Sequence, residues 1–217
     1  MLDRHCHILY GLDDGAVDLE ESVAMLRAAR AAGVTDIVAT PHVLDASFDF
    51  LLACKRKEEL KDHACKIGIT LRLGCEVFWY ALSGLTPEML SQCRIENTDS
   101  ILVEFNLHSE LPRDMMKGIF SLQQAGLEVI IAHPERYDCV KKDSSTAQQW
   151  LDMGCTLQLD ANVLLLPILS PTRRCAYEML KRGMYQYAAS DAHCVRDYER
   201  FARSIELIKR NYGGLAI

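Results

Sequence analysis

Residues 18–42 read DLEESVAMLRAARAAGVTDIVATPH, and this stretch sets the pattern of the whole chain. Leu19, Val23, Leu26 and Arg30 recur near helical spacing. Asp18 with Glu21 fits an N-cap with a first-turn acid, and Gly33 fits the C-terminal stop. A short apolar run, 34–39, then reads as a strand, and it breaks at Thr40-Pro41 into His42. Outward from there the same phrase recurs. Helices are predicted over 47–67, 87–93, 113–124, 145–153, 172–181 and 197–211, with Gly68, Gly126, Gly154 and Gly183 as stops. Strands are predicted over 69–73, 100–105, 127–132, 156–160 and 185–189, and a strand-like run opens the chain and ends in histidine. Seven βα-like repeats without a linker or low-complexity segment predict one domain over 1–217, of α/β class. The architecture is either a small barrel or a strongly curved sheet with helices outside.

Composition narrows the function. The formal net charge is −6 and no basic run exists, so nucleic acid is not an expected partner, whereas a small phosphorylated substrate is compatible. Nine cysteines contain no CxxC pair, which argues against a disulfide framework or a Cys-rich zinc knuckle and for buried thiols in a reducing compartment. No stretch reaches the ~18 apolar residues of a membrane span. The expectation is a cytoplasmic protein with no direct membrane insertion.

The chemistry sits at the predicted strand ends. Five of the seven histidines (His5, His7, His42, His133 and His193) fall there, accompanied by Asp14, Glu76, Glu104 and Asp191. In a parallel barrel those ends gather on one face. His5 and His7 are two apart, so on a strand both rings point to one side while Cys6 points away. Glu76 and Asp191 would complete one ion's shell, and a carboxylate can bridge, so Glu76, Glu104 and His133 would make a second site. Asp14, His42 and His193 would make a third. Hard and borderline divalent ions take such a ligand mixture. Ions a few ångströms apart acidify water between them and clamp phosphoryl oxygens.

The stretches HCHILYGLDDGA, ATPH, GCE, IAHPERY and SDAH, in this order, resemble the PHP (polymerase and histidinol phosphatase) superfamily. Within it the chain is most similar to the metal-dependent protein-tyrosine phosphatases of bacterial capsule and exopolysaccharide operons. The resemblance implies a distorted (β/α)7 barrel of the PHP type. It also implies three divalent ions (manganese, iron or zinc) and action on phosphotyrosine of a bacterial tyrosine kinase that controls polysaccharide synthesis. By motif, His5, His7, Glu76 and Asp191 would hold one metal, Glu76, Glu104 and His133 the second, and Asp14, His42 and His193 the third. Arg136 of the HPER motif matches a phosphate-binding arginine. A planar fork can grip two phosphoryl oxygens where a lysine offers a point charge. His42 or Asp191 would assist the leaving group. Two rivals are another PHP phosphoesterase, such as a histidinol-phosphate phosphatase, and a catalytically silent metal-binding module that docks on the kinase or export machinery.

The chain departs from that pattern in places. Cys194 follows His193 where asparagine is usual, and Tyr198 stands where a second arginine is expected, leaving Arg196 or Arg200 to supply that cation. Arg4 replaces a usually apolar residue and Tyr10 a common proline. Asp13 reads as a turn cap, His63 as part of a solvated helix face, His108 as a loop residue and Asp160 as dispensable. Trp79, Tyr80 and Phe105 are core residues or an aromatic rim. Cys6 lacks the CxxxxxR phosphate loop that a thiol phosphatase needs.

Overall fold

Every strand pair among the described residues is parallel. The structure, a computed structural model, describes residues 1–212, 215 and 216. The strands are β1 (Leu2–Cys6), β2 (Asp36–Ala39), β3 (His42–Val43), β4 (Thr70–Leu73), β5 (Glu76–Phe78), β6 (Ser100–Glu104), β7 (Glu128–Ile131), β8 (Thr156–Asp160) and β9 (Tyr187–Ala189). The helices are α1 (Leu19–Ala31), α2 (Phe50–Ile67), α3 (Pro87–Gln92), α4 (Met115–Gln124), α5 (Asp138–Lys142), α6 (Ser145–Asp152), α7 (Pro171–Lys181) and α8 (Val195–Asn211). Strand order is β1-β2-β4 in one sheet and β3-β5-β6-β7-β8-β9 in the other.

The two sheets are one curved wall. β3 continues β2 and β5 continues β4 across the short breaks at Thr40-Pro41 and Gly74-Cys75. Backbone bonds run straight through those breaks: Thr40 N–H to Cys6 O (2.9 Å), Gly74 N–H to Ala39 O (2.9 Å) and Glu76 N–H to Pro41 O (3.1 Å). Nine strands therefore make seven staves, which is the predicted count. The last stave meets the first at one end only. Asp191 N–H donates to His5 O and His7 N–H to Ala192 O, both at 2.9 Å. Beneath that closure the buried Asp3 carboxylate accepts from Ser190 N–H (2.9 Å), Ser190 Oγ (2.6 Å) and Tyr198 Oη (3.0 Å), joining β1 to β9 and α8.

Alternation divides the apolar residues into two bodies. Val38, Leu102, Ile130, Ala132, Tyr187 and Ala189 fill the barrel interior with Ile95, while Ile37, Ile101, Val103, Val129 and Ile131 belong to the larger core shared with the helices. The helix boundaries depart from expectation where side chains cap the backbone. α2 starts at Phe50 rather than residue 47, because the Asp49 carboxylate accepts from Leu52 N–H. Asp197 is not the cap of the last helix. It sits one turn inside and accepts from His193 and Cys194 N–H, so Cys194 caps a helix that begins at Val195. All nine cysteines are free thiols. Among the described residues no helix is long and apolar enough to cross a membrane.

Candidate metal centre

The expected ligands converge on the mouth formed by the C-terminal strand ends. β1 shifts register between Asp3 and Cys6, and His5 and His7 both meet Glu76 and Asp191 below that mouth. His5 Nε2 lies 3.1 Å from Glu76 Oε2, 3.2 Å from Asp191 Oδ1 and 3.2 Å from His7 Nε2. His7 Nε2 lies 3.4 Å from each of the same two carboxylate oxygens. A tetrahedron with edges of about 3.3 Å has its corners about 2.0 Å from its centre, the distance at which imidazole and carboxylate bind a zinc-sized ion. Five of the six separations among these atoms match such a shell, and all four lie within 4.8 Å of one another.

Glu76 faces two ways. Its Oε1 is 3.0 Å from His133 Nε2, which lies 3.6 Å from Glu104 Oε1, and its Oε2 is 3.1 Å from His42 Nδ1. The other ring nitrogen of His42 is 3.6 Å from Asp14 Oδ1, and His193 Nε2 is 3.4 Å from that same oxygen. The structure therefore brings together all nine expected metal ligands: His5, His7, Asp14, His42, Glu76, Glu104, His133, Asp191 and His193. His42 stands between the second and third groups, one nitrogen toward each. Asp14 is the most open of the nine, its side chain 73% exposed.

The donor set fits bound cations. Glu76 Oε2, Asp191 Oδ1, His42 Nδ1 and His133 Nδ1 are buried with no hydrogen-bond partner among the described residues. An unmet buried polar atom costs about 1–3 kcal/mol, so four in one place need an explanation. His133 and Asp191 also hold left-handed backbone, at φ 31° and 47°. Such strain costs on the order of 1–3 kcal/mol per residue and gathers at functional sites.

Charge supports the same reading. Burial opposes a proton on His5, but Glu76 and Asp191 outweigh it and raise its pKa to about 9. His7 is likewise raised well above its usual value against the cost of burial, by Asp13, Asp191 and Glu76. Burial works against ionised Glu76 and Asp191, and the histidines nonetheless hold both carboxyls below their usual range. Two imidazolium protons thus balance two carboxylates, and one divalent ion replaces them without changing the local charge. Burial and the Glu76 charge raise Glu104 to about 8, while burial lowers His42 and His133.

Supporting residues orient the ligands. His5 Nδ1 faces the Gln158 side-chain amide from β8, 2.8 Å from Nε2. Asp13 caps a turn as expected, accepting from Gly15 N–H (3.0 Å), but it also holds His7 Nδ1 at 2.8 Å and His42 N–H at 3.0 Å. Gly15 lets this loop press close, since a Cβ there would run into the His7 carbonyl oxygen. Asp13→Asn is expected to weaken metal affinity by about 10–100-fold, because an amide cannot fix the His7 ring as a carboxylate does. Chelator competition on folded variant checks this, and unchanged affinity would remove Asp13 from the site.

Two cavities of about 510 and 600 Å3 share Asp14, Leu107, Arg136, Asp191 and His193, forming one groove over the centre. Arg136 follows His133 on the turn Pro134–Arg136, and its Nη1 is 2.6 Å from Asp191 Oδ2. Buried Glu135 anchors that turn by accepting from Asp160 N–H and Tyr185 Oη, both at 2.9 Å. Arg200 lines the larger cavity and Arg196 lines neither. The reason is helical phase: Asp197 and Arg200, three apart on α8, face the groove, while Arg196, Glu199 and Arg203 form its exposed stripe. Arg196 is thus not brought to the site. Tyr198 is turned into the barrel seam, away from the groove.

The aromatic expectation also changes. Phe105 is a core residue stacked against Trp79 and Trp150, and Tyr80 is exposed without lining the groove. Leu12, Leu44, Phe78 and Leu107 make the apolar wall instead. Asp160, passed over in the sequence, lines the groove, its carboxyl raised to about 7 by burial and by Asp191. Its one signal was its place at a strand end. His108 lines the larger cavity from an exposed loop, as its position allowed.

Fold and site together define a metal-dependent enzyme built on a parallel α/β barrel. The chain belongs to the family described as Capsular polysaccharide synthesis, CpsB/CapC, whose model matches residues 1–216. Tyrosine-protein phosphatase YwqE of Bacillus subtilis (strain 168) is 29% identical over 200 residues, covering 90% of this chain and 78% of that protein. Tyrosine-protein phosphatase CpsB of Streptococcus pneumoniae is 27% identical over 231 residues, covering 98% and 91%. A solved structure from work on YwqE and CpsB, described as unique metal-dependent tyrosine phosphatases, has a TM-score of 0.86 at 26% identity. It covers 98% of this chain and 88% of that one.

Proposed function

We propose that this protein hydrolyses phosphotyrosine on a bacterial tyrosine kinase that regulates capsule or exopolysaccharide synthesis, in the cytoplasm, with three divalent ions (manganese, iron or zinc) per chain. The observation that carries this reading is the two-faced Glu76 carboxylate, set among histidines on both sides beside Arg136. His5, His7, Glu76 and Asp191 would hold the first ion, Glu76, Glu104 and His133 the second, and Asp14, His42 and His193 the third. When bound, the ions would supply Lewis acidity for the phosphoryl oxygens and lower the pKa of attacking water.

The chain's own groups do the rest. Arg136, held by Asp191, would grip the phosphoryl group with its fork, and Arg200 and Lys141 add positive charge along the groove. Leu12, Leu44, Phe78 and Leu107 would receive the phenyl ring and exclude water from one side of it. Phenolate leaves readily, since its conjugate acid has a pKa of about 10. Protonated Asp160 on the groove wall can return a proton to the departing oxygen, and His42 or Asp191 would steady the leaving group.

Elemental analysis beside phosphotyrosine-peptide hydrolysis tests this reading. Two to three metals per chain are expected (about three from the ligand sets), with turnover lost on chelation and restored by manganese. Undiminished hydrolysis in chelated, metal-free protein would end the proposal. Preference for histidinol phosphate over the peptide would replace the substrate and leave the metal centre standing.

A further inference from the structure

The opposite mouth of the barrel, where the strands begin, holds a cavity of about 350 Å3. Arg4, Arg72, Ser100 and Tyr187 wall it, over interior residues that include Val38 and Ile130. It is separate from the metal groove, with which it shares no lining residue.

Register explains how two arginines come to face this interior. Arg72 pairs with Val38 across the β2–β4 ladder, so its side chain leaves the sheet on the same face as that interior residue. On the other flank Arg4 follows Asp3, the partner of Ile37, where β1 shifts register, and its guanidinium lies over the ring of Tyr187 in the same cavity lining. Two guanidinium groups therefore reach this one cavity from β1 and β4.

Arg4 lies over the Tyr187 ring, 4.7 Å from its centroid, and among the described residues no carboxylate comes within ion-pair distance of it. Arg72 makes a loose ion pair with Asp36 at 3.7 Å, too far for a hydrogen bond, and its charge also reaches Glu96. Its Nε is buried without a partner among the described residues. The Tyr187 hydroxyl is also buried and unpartnered among the described residues. Each guanidinium offers five donors, so this mouth presents an excess of donors and positive charge on a chain whose net charge is −6. Arginine forks match the oxygens of phosphate two at a time, and two forks call for a tetrahedral oxyanion where a carboxylate would serve one. The volume is near the lower end for small-molecule sites.

We propose that this cavity is a second, non-catalytic site that binds a small phosphate-bearing anion between Arg4 and Arg72. Phosphate titrated into the metal-loaded protein by calorimetry tests it. The expected result is two binding events. Arg4→Leu and Arg72→Gln should each weaken one event by about tenfold or more, and Arg136→Lys only the other. Circular dichroism shows that each variant is folded, and Arg72→Gln, at a half-exposed position, carries the test if Arg4→Leu does not fold. Methylphosphonate, whose C–P bond resists hydrolysis, distinguishes the source: binding at the second event as tight as phosphate marks an ester ligand, and much weaker binding marks the free anion. Binding in the wild type of which no event is weakened by Arg4→Leu or Arg72→Gln would overturn the site. The metal-centre reading stands or falls separately.

Discussion

Glu76→Gln is expected to empty the first two metal positions and reduce phosphotyrosine hydrolysis by about a thousandfold or more, equivalent to about 4 kcal/mol of lost transition-state stabilisation. Among the described residues Glu76 is the one carboxylate within ion-pair reach of His5, His7, His42 and His133. An amide at this position keeps the shape but loses the charge. It can also turn an N–H group toward imidazole nitrogens, occupying lone pairs that an ion would otherwise take. The charge balance breaks as well, since the His5 pKa of about 9 depends on Glu76 more than on any other charge. Elemental analysis should fall from about three ions per chain to one or fewer. A variant that kept its full metal content and turnover would remove Glu76 from the centre of this reading.

Arg136→Lys is expected to lower kcat/KM for a phosphotyrosine peptide by about 10–150-fold, the worth of a charge-assisted hydrogen bond of about 1.5–3 kcal/mol, with metal content unchanged. Lysine keeps the positive charge beside Asp191 and so avoids leaving that buried carboxylate alone. It does not keep the fork, which can hold Asp191 Oδ2 with one nitrogen and offer the rest to the phosphoryl group. Arg196→Ala serves as a contrast, because the stripe of α8 that carries it faces away from the groove. A loss from Arg196→Ala with none from Arg136→Lys would mean that the arginines act through overall charge and not through contact.

Much of this centre was legible because a parallel barrel converts sequence position into spatial position. A ligand at the end of a short apolar run lands on one mouth whichever stave it occupies, so His5 and His193 could be grouped without knowing the path between them. What sequence could not convey was side-chain direction across breaks in regularity. The β1 register shift and the left-handed backbone at His133 and Asp191 place ligands by departures from strand geometry that no periodicity announces. Arg196 and Arg200 were equally available until the start of α8 fixed their phase, and that start depended on Asp197 acting from inside the helix. Asp13 was read by its local role in a turn, and its longer reach to His7 needed the loop to fold over β1. The aromatic rim failed for a related reason: Phe105 follows Glu104, but alternation sends it to the helix side, and Phe78 takes the rim position from two residues beyond Glu76.

The join between the first and last staves has a consequence for how the protein is made. His5 and His7 are synthesised well before the Asp191 and Ser190 groups that meet them and Asp3, with 187 positions between Asp3 and Ser190. At ordinary translation speeds the interval is on the order of ten seconds or more. Throughout it, the first two imidazoles have no finished shell, and the seam that would hold β1 in register does not exist. The four-atom shell of His5, His7, Glu76 and Asp191 therefore cannot close on an ion until Asp191 has been made. A chain halted before β9 would carry most of its staves but lack Asp191 and His193, so filling of the first shell reports that synthesis has passed the last stave.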